Sequence, residues 1–218
     1  MSFTQTENLF AGVHELGIND LFQAVFRARP HYLNYGTPVF VPVTTAVLTS
    51  IPALAFPGVP GGIQFAIAFS IPTVDIVPDN SGGSAALIPG PGEFTVTTTV
   101  TIFFLCGTQG RPNDLGGTVR PTVLQTSLQV VALCEPIVLS PSPGTGEIGI
   151  KLKKVEIVDI TPDTLESIVE CLILMMLQAV LANVRLPFNV LTAGAFGLIL
   201  LVGPVAETDQ IKVRGNAL

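Results

Sequence analysis

The sequence has no tryptophan, two tyrosines, two histidines and three cysteines, and only 12% of its 218 residues are charged. Each shortage excludes something. Charged residues usually make up ~25% of a soluble domain, so the polar coat here is thin. Ten basic against sixteen acidic residues leave a net charge of −6 and a pI of about 4.8. Nucleic acid demands a basic footprint, and anionic lipid headgroups attract basic patches. Lys151, Lys153 and Lys154 form the one local basic cluster, and it reads as an exposed strand face. Cys106, Cys134 and Cys171 are odd in number, far apart and set among apolar neighbours. They are expected to be buried free thiols in a reducing, cytoplasmic-type compartment, with no disulfide and no structural zinc. His14 and His31 have no second ligand at metal-binding spacing. Residues Met1 to Glu7 show no basic stretch followed by an apolar run, so no signal peptide is expected.

What the chain has in plenty is apolar surface. Hydrophobic residues make up 48%, and the mean hydropathy is +0.61. A chain this long buries roughly 70% of the surface its unfolded form exposes, so it needs no metal or disulfide to hold a core. The surplus must go to a wide core, a ligand cavity, an oligomer interface or a membrane surface. It does not go to a transmembrane helix. The best candidate, Ile168 to Val184, is interrupted by Glu170, Gln178 and Asn183, and its unbroken apolar part falls far short of the ~20 residues a span needs.

The hydrophobic period changes twice along the chain. Residues Thr6 to Arg29 read as helical, with Gly17 setting off an earlier turn. Ile18, Leu21, Phe22, Val25 and Phe26 form one apolar stripe, Asn19 or Asp20 is placed to cap it, and Pro30 stops it. From Val39 to Ile160 the period becomes two. Ile63 to Ile71 alternates large apolar with small or polar residues. So does Phe94 to Phe104, where Phe94, Val96, Val100, Ile102 and Phe104 share a face. Leu124 to Cys134 gives a third alternating face. Ile148 to Ile157 gives a fourth, with a register change at Lys153–Lys154 that predicts a bulge. Val39 to Leu54, broken by Pro42 and Pro52, fits an edge strand. Pro/Gly-rich hairpin ends separate these runs. At Thr161-Pro162-Asp163 a helix start returns the chain to a period of 3.6. That helix should run to about Val184, apolar nearly all round between Ile168 and Leu181, and therefore buried on more than one side. Strands at Phe196 to Val202 and Gln210 to Arg214 close the chain.

No catalytic constellation accompanies this pattern. Gly144-Thr145-Gly146-Glu147-Ile148-Gly149 spells GxGxxG, but a strand follows where a dinucleotide site needs a helix. No phosphate-binding lysine loop and no GxSxG elbow occurs. His14-Glu15 could orient a base, but no nucleophile is marked. Asp159, Asp163, Glu166 and Glu170 lack the alternation and glycine of a calcium loop and suit a helix start. The expectation is a protein that is not an enzyme and has no cofactor.

The order of parts is an amphipathic helix, several long alternating strands, a second greasy helix and closing strands. In the tail, the helix leads into Asn183-Val184-Arg185-Leu186-Pro187-Phe188-Asn189-Val190-Leu191 and then the strand Leu198 to Val202. This is similar to the tubular lipid-binding modules of the bactericidal/permeability-increasing, SMP and takeout-like families. The likeness lies in the pattern of elements. The chain departs from extracellular relatives in showing neither leader nor disulfide, and its loops are richer in proline and glycine. The resemblance implies an α+β fold in which a long, highly twisted antiparallel sheet wraps a long C-terminal helix, with residues 1–218 as one domain. It also implies non-catalytic binding or transfer of a lipid or other hydrophobic ligand in an apolar groove between sheet and helices.

No individual binding residue can be carried over from those families. Periodicity alone gives the candidates for the apolar lining: Phe22, Val25, Phe26, Phe65, Ile67, Phe69, Val100, Ile102, Phe104, Leu172, Met175, Met176, Leu198 and Leu200. The same residues fit a solid core. The competing reading is a structural, assembly or toxin-accessory protein using its apolar surface for a homo-oligomer or protein partner. Transient membrane contact fits either reading.

Overall fold

The computed structural model describes residues 9–40, 47–55, 61–76, 87–106, 122–139, 146–158, 173–187, 198–207 and 209–217. They form a sheet-dominated α+β fold. In chain order the elements are β1 (Leu9–His14), α1 (Glu15–Ala28), a 3-10 turn (Pro30–Tyr32), β2 (Asn34–Gly36), β3 (Thr49–Ser50), β4 (Gln64–Phe69), β5 (Thr73–Asp75), β6 (Phe94–Cys106), β7 (Thr122–Leu139) and β8 (Glu147–Val158). Helix α2 covers residues 173–181. Strands β9 (Leu186–Pro187), β10 (Leu198–Glu207) and β11 (Gln210–Ala217) follow. One sheet has the order β1-β11-β10, the other β3-β2-β4-β6-β7-β8-β9 with β5 added on β6. The described pairings are antiparallel except β2 with β3.

Two compact units divide the chain. The first comprises Met1–Ala24, Pro72–Thr98 and Gln129–Leu218. Within it, Ala11 of β1 and Val213 of β11 form one buried cluster with Ile148 of β8, and Val138 and Leu186 pack against it. The ladder of β7 and β8 shifts register where Leu133 faces Lys154 and Cys134 faces Leu152, leaving Lys153 as the extra residue. The expected bulge is there. Strand β10 carries two register shifts around Leu201 to Pro204, so Pro204 sits in an irregular edge strand, where the lack of an N–H is tolerated.

In the same unit α1 closes the free edge of β5. The Asn19 side chain donates to the Val74 carbonyl at 3.0 Å and accepts from the Val74 N–H at 2.7 Å, while Glu15 Oε2 accepts from the Ile76 N–H at 2.9 Å. A strand edge this close to a core would otherwise leave buried backbone groups unpaired.

The second unit comprises Val25–Ile71 and Thr99–Leu128. Here β4 pairs with β6 from Gln64↔Leu105 to Phe69↔Val100, and β2 pairs with β4 from Asn34↔Ala68 to Gly36↔Ala66. Strand β3 lies at the end of the strand order, which agrees with the edge expected from Pro42 and Pro52.

Three expectations are corrected. The N-terminal helix does not extend back to Thr6: Leu9–His14 is a strand paired with β11 from Leu9↔Gly215 to His14↔Gln210. Its alternation is short, with Ala11 buried and Gly12 and His14 exposed, and its partner lies at the far end of the chain. Asn19 and Asp20 do not cap α1, which starts at Glu15; the Leu16 N–H donates to His14 Nδ1 at 3.2 Å instead. Over its described residues, 173–181, helix α2 buries one face only. Ile173, Leu177, Val180 and Leu181 are at most 1% exposed, whereas Met175 is 57% exposed. The helix start expected at Thr161 and most of the Pro/Gly-rich connections lie outside the described residues.

Candidate functional site

The proposed lining divides by exposure. In the first unit Phe22 is fully buried on α1. In the second, Phe26 of α1, Phe65, Ile67 and Phe69 of β4, and Val100 and Ile102 of β6 are buried, and Val25 is half-buried. Large side chains occupy these positions because α1 and the strands each present their apolar period to the inside; each such burial contributes about 1.5–3 kcal/mol. Phe104, one step further along the face of β6, is 37% exposed. Met175 and Met176 lie on α2, exposed and half-buried respectively. Leu198 and Leu200 lie in β10, paired with Ala217 and Gly215. Leu172 lies outside the described residues.

Helix α2 keeps apolar surface outside the face it buries. Ile173, Leu177, Val180, Leu181 and Val184 follow a helical stripe into the core. Beside that stripe Leu174 and Met176 are half-buried, and Met175, Ala179 and Ala182 are exposed, with Gln178 the one polar residue among them. The helix thus has a second apolar strip.

Several of the described titratable groups are committed to structure. The basic cluster is neutralised on its own sheet: Lys151 meets Glu135 at 2.6 Å, Lys154 meets Glu156 at 3.0 Å, and the bulged Lys153 bonds Glu93 and lies 3.5 Å from Glu135. The Lys153 hydrogen bond, helped by the Gly90 N–H, holds the Glu93 carboxyl below the usual range. The hydrogen bond from Lys151 does the same for Glu135, and Glu93 in turn holds the Lys153 ammonium high. Composition did not reveal these acids, but counting back from the β7–β8 turn places Glu135 opposite Lys151. Cys134 is a free, fully buried thiol, pushed far up by desolvation and therefore a poor nucleophile.

His14 caps α1 and Glu15 holds β5, so this pair is engaged in structure. His31 packs against Tyr32 with ring centroids 4.4 Å apart. The GxGxxG run leads into β8, and a side chain at Gly149 would lie 2.6 Å from Leu139 Cδ1; that glycine answers to strand packing. The acids Asp159, Asp163, Glu166 and Glu170 lie outside the described residues. Among the described residues no three His, Cys, Asp or Glu gather as metal ligands, and no helix is long and apolar enough to cross a membrane. The outer side of β10 and β11 holds a hollow of about 90 Å³ lined by Gly203, Val205, Glu207, Lys212 and Arg214, too small for a lipid tail.

Comparison with solved structures gives a likeness at the level of the fold. The chain is similar to a crystal structure of lipopolysaccharide binding protein at 10% identity and a TM-score of 0.36, over 97% of this chain and 50% of that one. It therefore spans about half the length of that structure. No protein-family model and no curated protein matches the sequence.

Proposed function

We propose that the protein is a non-catalytic binder of a lipid or other hydrophobic small molecule, held against the open apolar strip of α2. The observation that carries this reading is the exposure of Met175 beside half-buried Leu174 and Met176, on a helix whose opposite face is already fully buried. Covering such a strip with an acyl chain yields about 0.8 kcal/mol per methylene, which is sufficient for binding without any directed polar contact. Thioether side chains adapt to tails of varied shape. In this reading the chain works as one tubular lipid-binding module, and no group on it performs chemistry.

Native mass spectrometry of protein purified without detergent tests the reading. Co-purified lipid mass on a monomer supports it; a lipid-free oligomer supports the assembly role instead. Met176→Trp then locates the ligand. In an open strip it displaces lipid and keeps the melting temperature. In a closed core it overpacks, costing about 1–3 kcal/mol, with lipid content unchanged.

A further inference from the structure

From Pro30 to Val74 the sequence contains no Asp, Glu, Lys or Arg. That run supplies most of the second unit, whose only charged residues are Arg27, Arg29, Arg111, Asp114 and Arg120. Among the described residues, the structure gathers the exposed large apolar side chains of this unit at one end. Leu54 forms a bridge with Ile63, with N–H···O distances of 3.2 and 2.8 Å in the two directions. The next residues of β4, Gln64 and Phe65, pair with Leu105 and Phe104. Thr37 binds Phe65 through its N–H and its hydroxyl and opens the turn that carries Val39 and Phe40. Val47 precedes Leu48, whose Cδ2 would lie 2.7 Å from a Cβ added at Gly36, the last residue of β2. So Val39, Val47, Leu54 and Phe104, every one at least 37% exposed, surround the start of β4.

The described residues of this end carry no charge. Arg27 and Arg29 stand at the other end of β4, where Asn34 pairs with Ala68 and binds the Pro30 carbonyl, roughly 20 Å away along six residues of strand.

We infer that this end of the second unit inserts into the surface of a zwitterionic lipid bilayer, with Leu54, Val47, Val39 and Phe104 among the acyl chains. Two features select this occupant over a protein. A protein interface keeps a polar rim and about one hydrogen bond per 100–200 Å², and the described residues of this end offer no charged group. Hydrocarbon also penalises every unpaired backbone N–H, and Pro38 and Pro52, both described at this end, have none. The insertion is shallow, about 5–10 Å, and independent of basic residues. It stands apart from the ligand reading above: a protein that carries no lipid can still dock this way.

The absence of tryptophan makes the test direct. Leu54→Trp, mixed with phosphatidylcholine vesicles, should shift its emission to the blue and be quenched by bromine-labelled acyl chains, at high salt as at low. Leu16→Trp, on α1 of the first unit at a position 66% exposed, should do neither. Leu54→Glu should weaken vesicle partitioning by about tenfold or more with an unchanged melting temperature, because Leu54 is 59% exposed. Three results would overturn the inference: no response of the Leu54→Trp protein, an equal response of the Leu16→Trp protein, or a shift that follows protein concentration without lipid. The last would mean a second copy covers this end. Lipid content by native mass is read separately, so failure of the carrier reading stays distinguishable.

Discussion

Gly62 shows how much can rest on one missing side chain. Its φ is +73°, a left-handed conformation that costs an L-residue about 1–2 kcal/mol. A Cβ there would also lie 2.5 Å from the Leu54 carbonyl oxygen, and backbone cannot swing aside as a side-chain tip can. Gly62→Ala should therefore lower unfolding free energy by more than about 1–2 kcal/mol and loosen the Leu54–Ile63 bridge. Gly203→Ala, where nothing lies within 4 Å, should change stability by no more than about 0.5 kcal/mol. Urea midpoints at equal slope separate the two; equal losses would mean that the Leu54 contact does not hold in solution.

At the scale of elements, the meeting of α1 with β5 carries a comparable load. Val74 is 1% exposed, and both of its outward backbone groups rely on the Asn19 side chain. Asn19→Ala should cost about 1–3 kcal/mol for each group left buried without a partner. Asn19→Asp keeps an acceptor for the N–H, loses the donor to the carbonyl, and should fall between. If Asn19→Ala leaves the urea midpoint unchanged, water or a shifted helix is filling the role. This contact also marks where sequence reading stops. The stripe from Ile18 to Phe26 announces α1, and alternation announces β4, β6, β7 and β8, down to the bulge at Lys153. These signals are local and long enough to count. Strands β1, β2, β5 and β9 have two to six residues each, and their pairing is decided by partners distant in sequence. Asn19 looks like a cap because local chemistry favours it there; only the fold brings β5 beside it. Most lining candidates on α1, β4 and β6 are buried as their period implies, whereas Val25 is half-buried and Met175 and Phe104 are exposed, because periodicity gives a direction and not what stands opposite.

At the scale of the whole molecule, charge is sparse enough that one network shapes the pH response. Glu93 and Glu135 have lowered pKa values, so the stability they contribute is present above the ordinary carboxylate value of 4.5 and is lost as pH falls through their lower folded values. Lys153 is raised, so its contribution is complete below 10.5 and is lost only as pH rises past that. The melting temperature should hold across neutral pH and drop on acidification below 4.5, less so in the double variant Glu93→Gln, Glu135→Gln; an equal drop in that variant would assign the acid sensitivity elsewhere. The effect is small because these pairs lie at the surface, and salt reduces it. The three-stranded sheet adds a constraint of timing. Its middle strand is β11, the last described in the chain, and β1 is the first. At 5–20 residues per second of synthesis, β1 waits roughly 10–40 s on the ribosome before the strand it pairs with is made. Until then Ala11 has no Val213 to share a core with, so the first unit closes only after β11 has emerged, and a nascent chain stalled short of β11 would hold both flanking strands open to whatever chaperone or neighbour reaches them first.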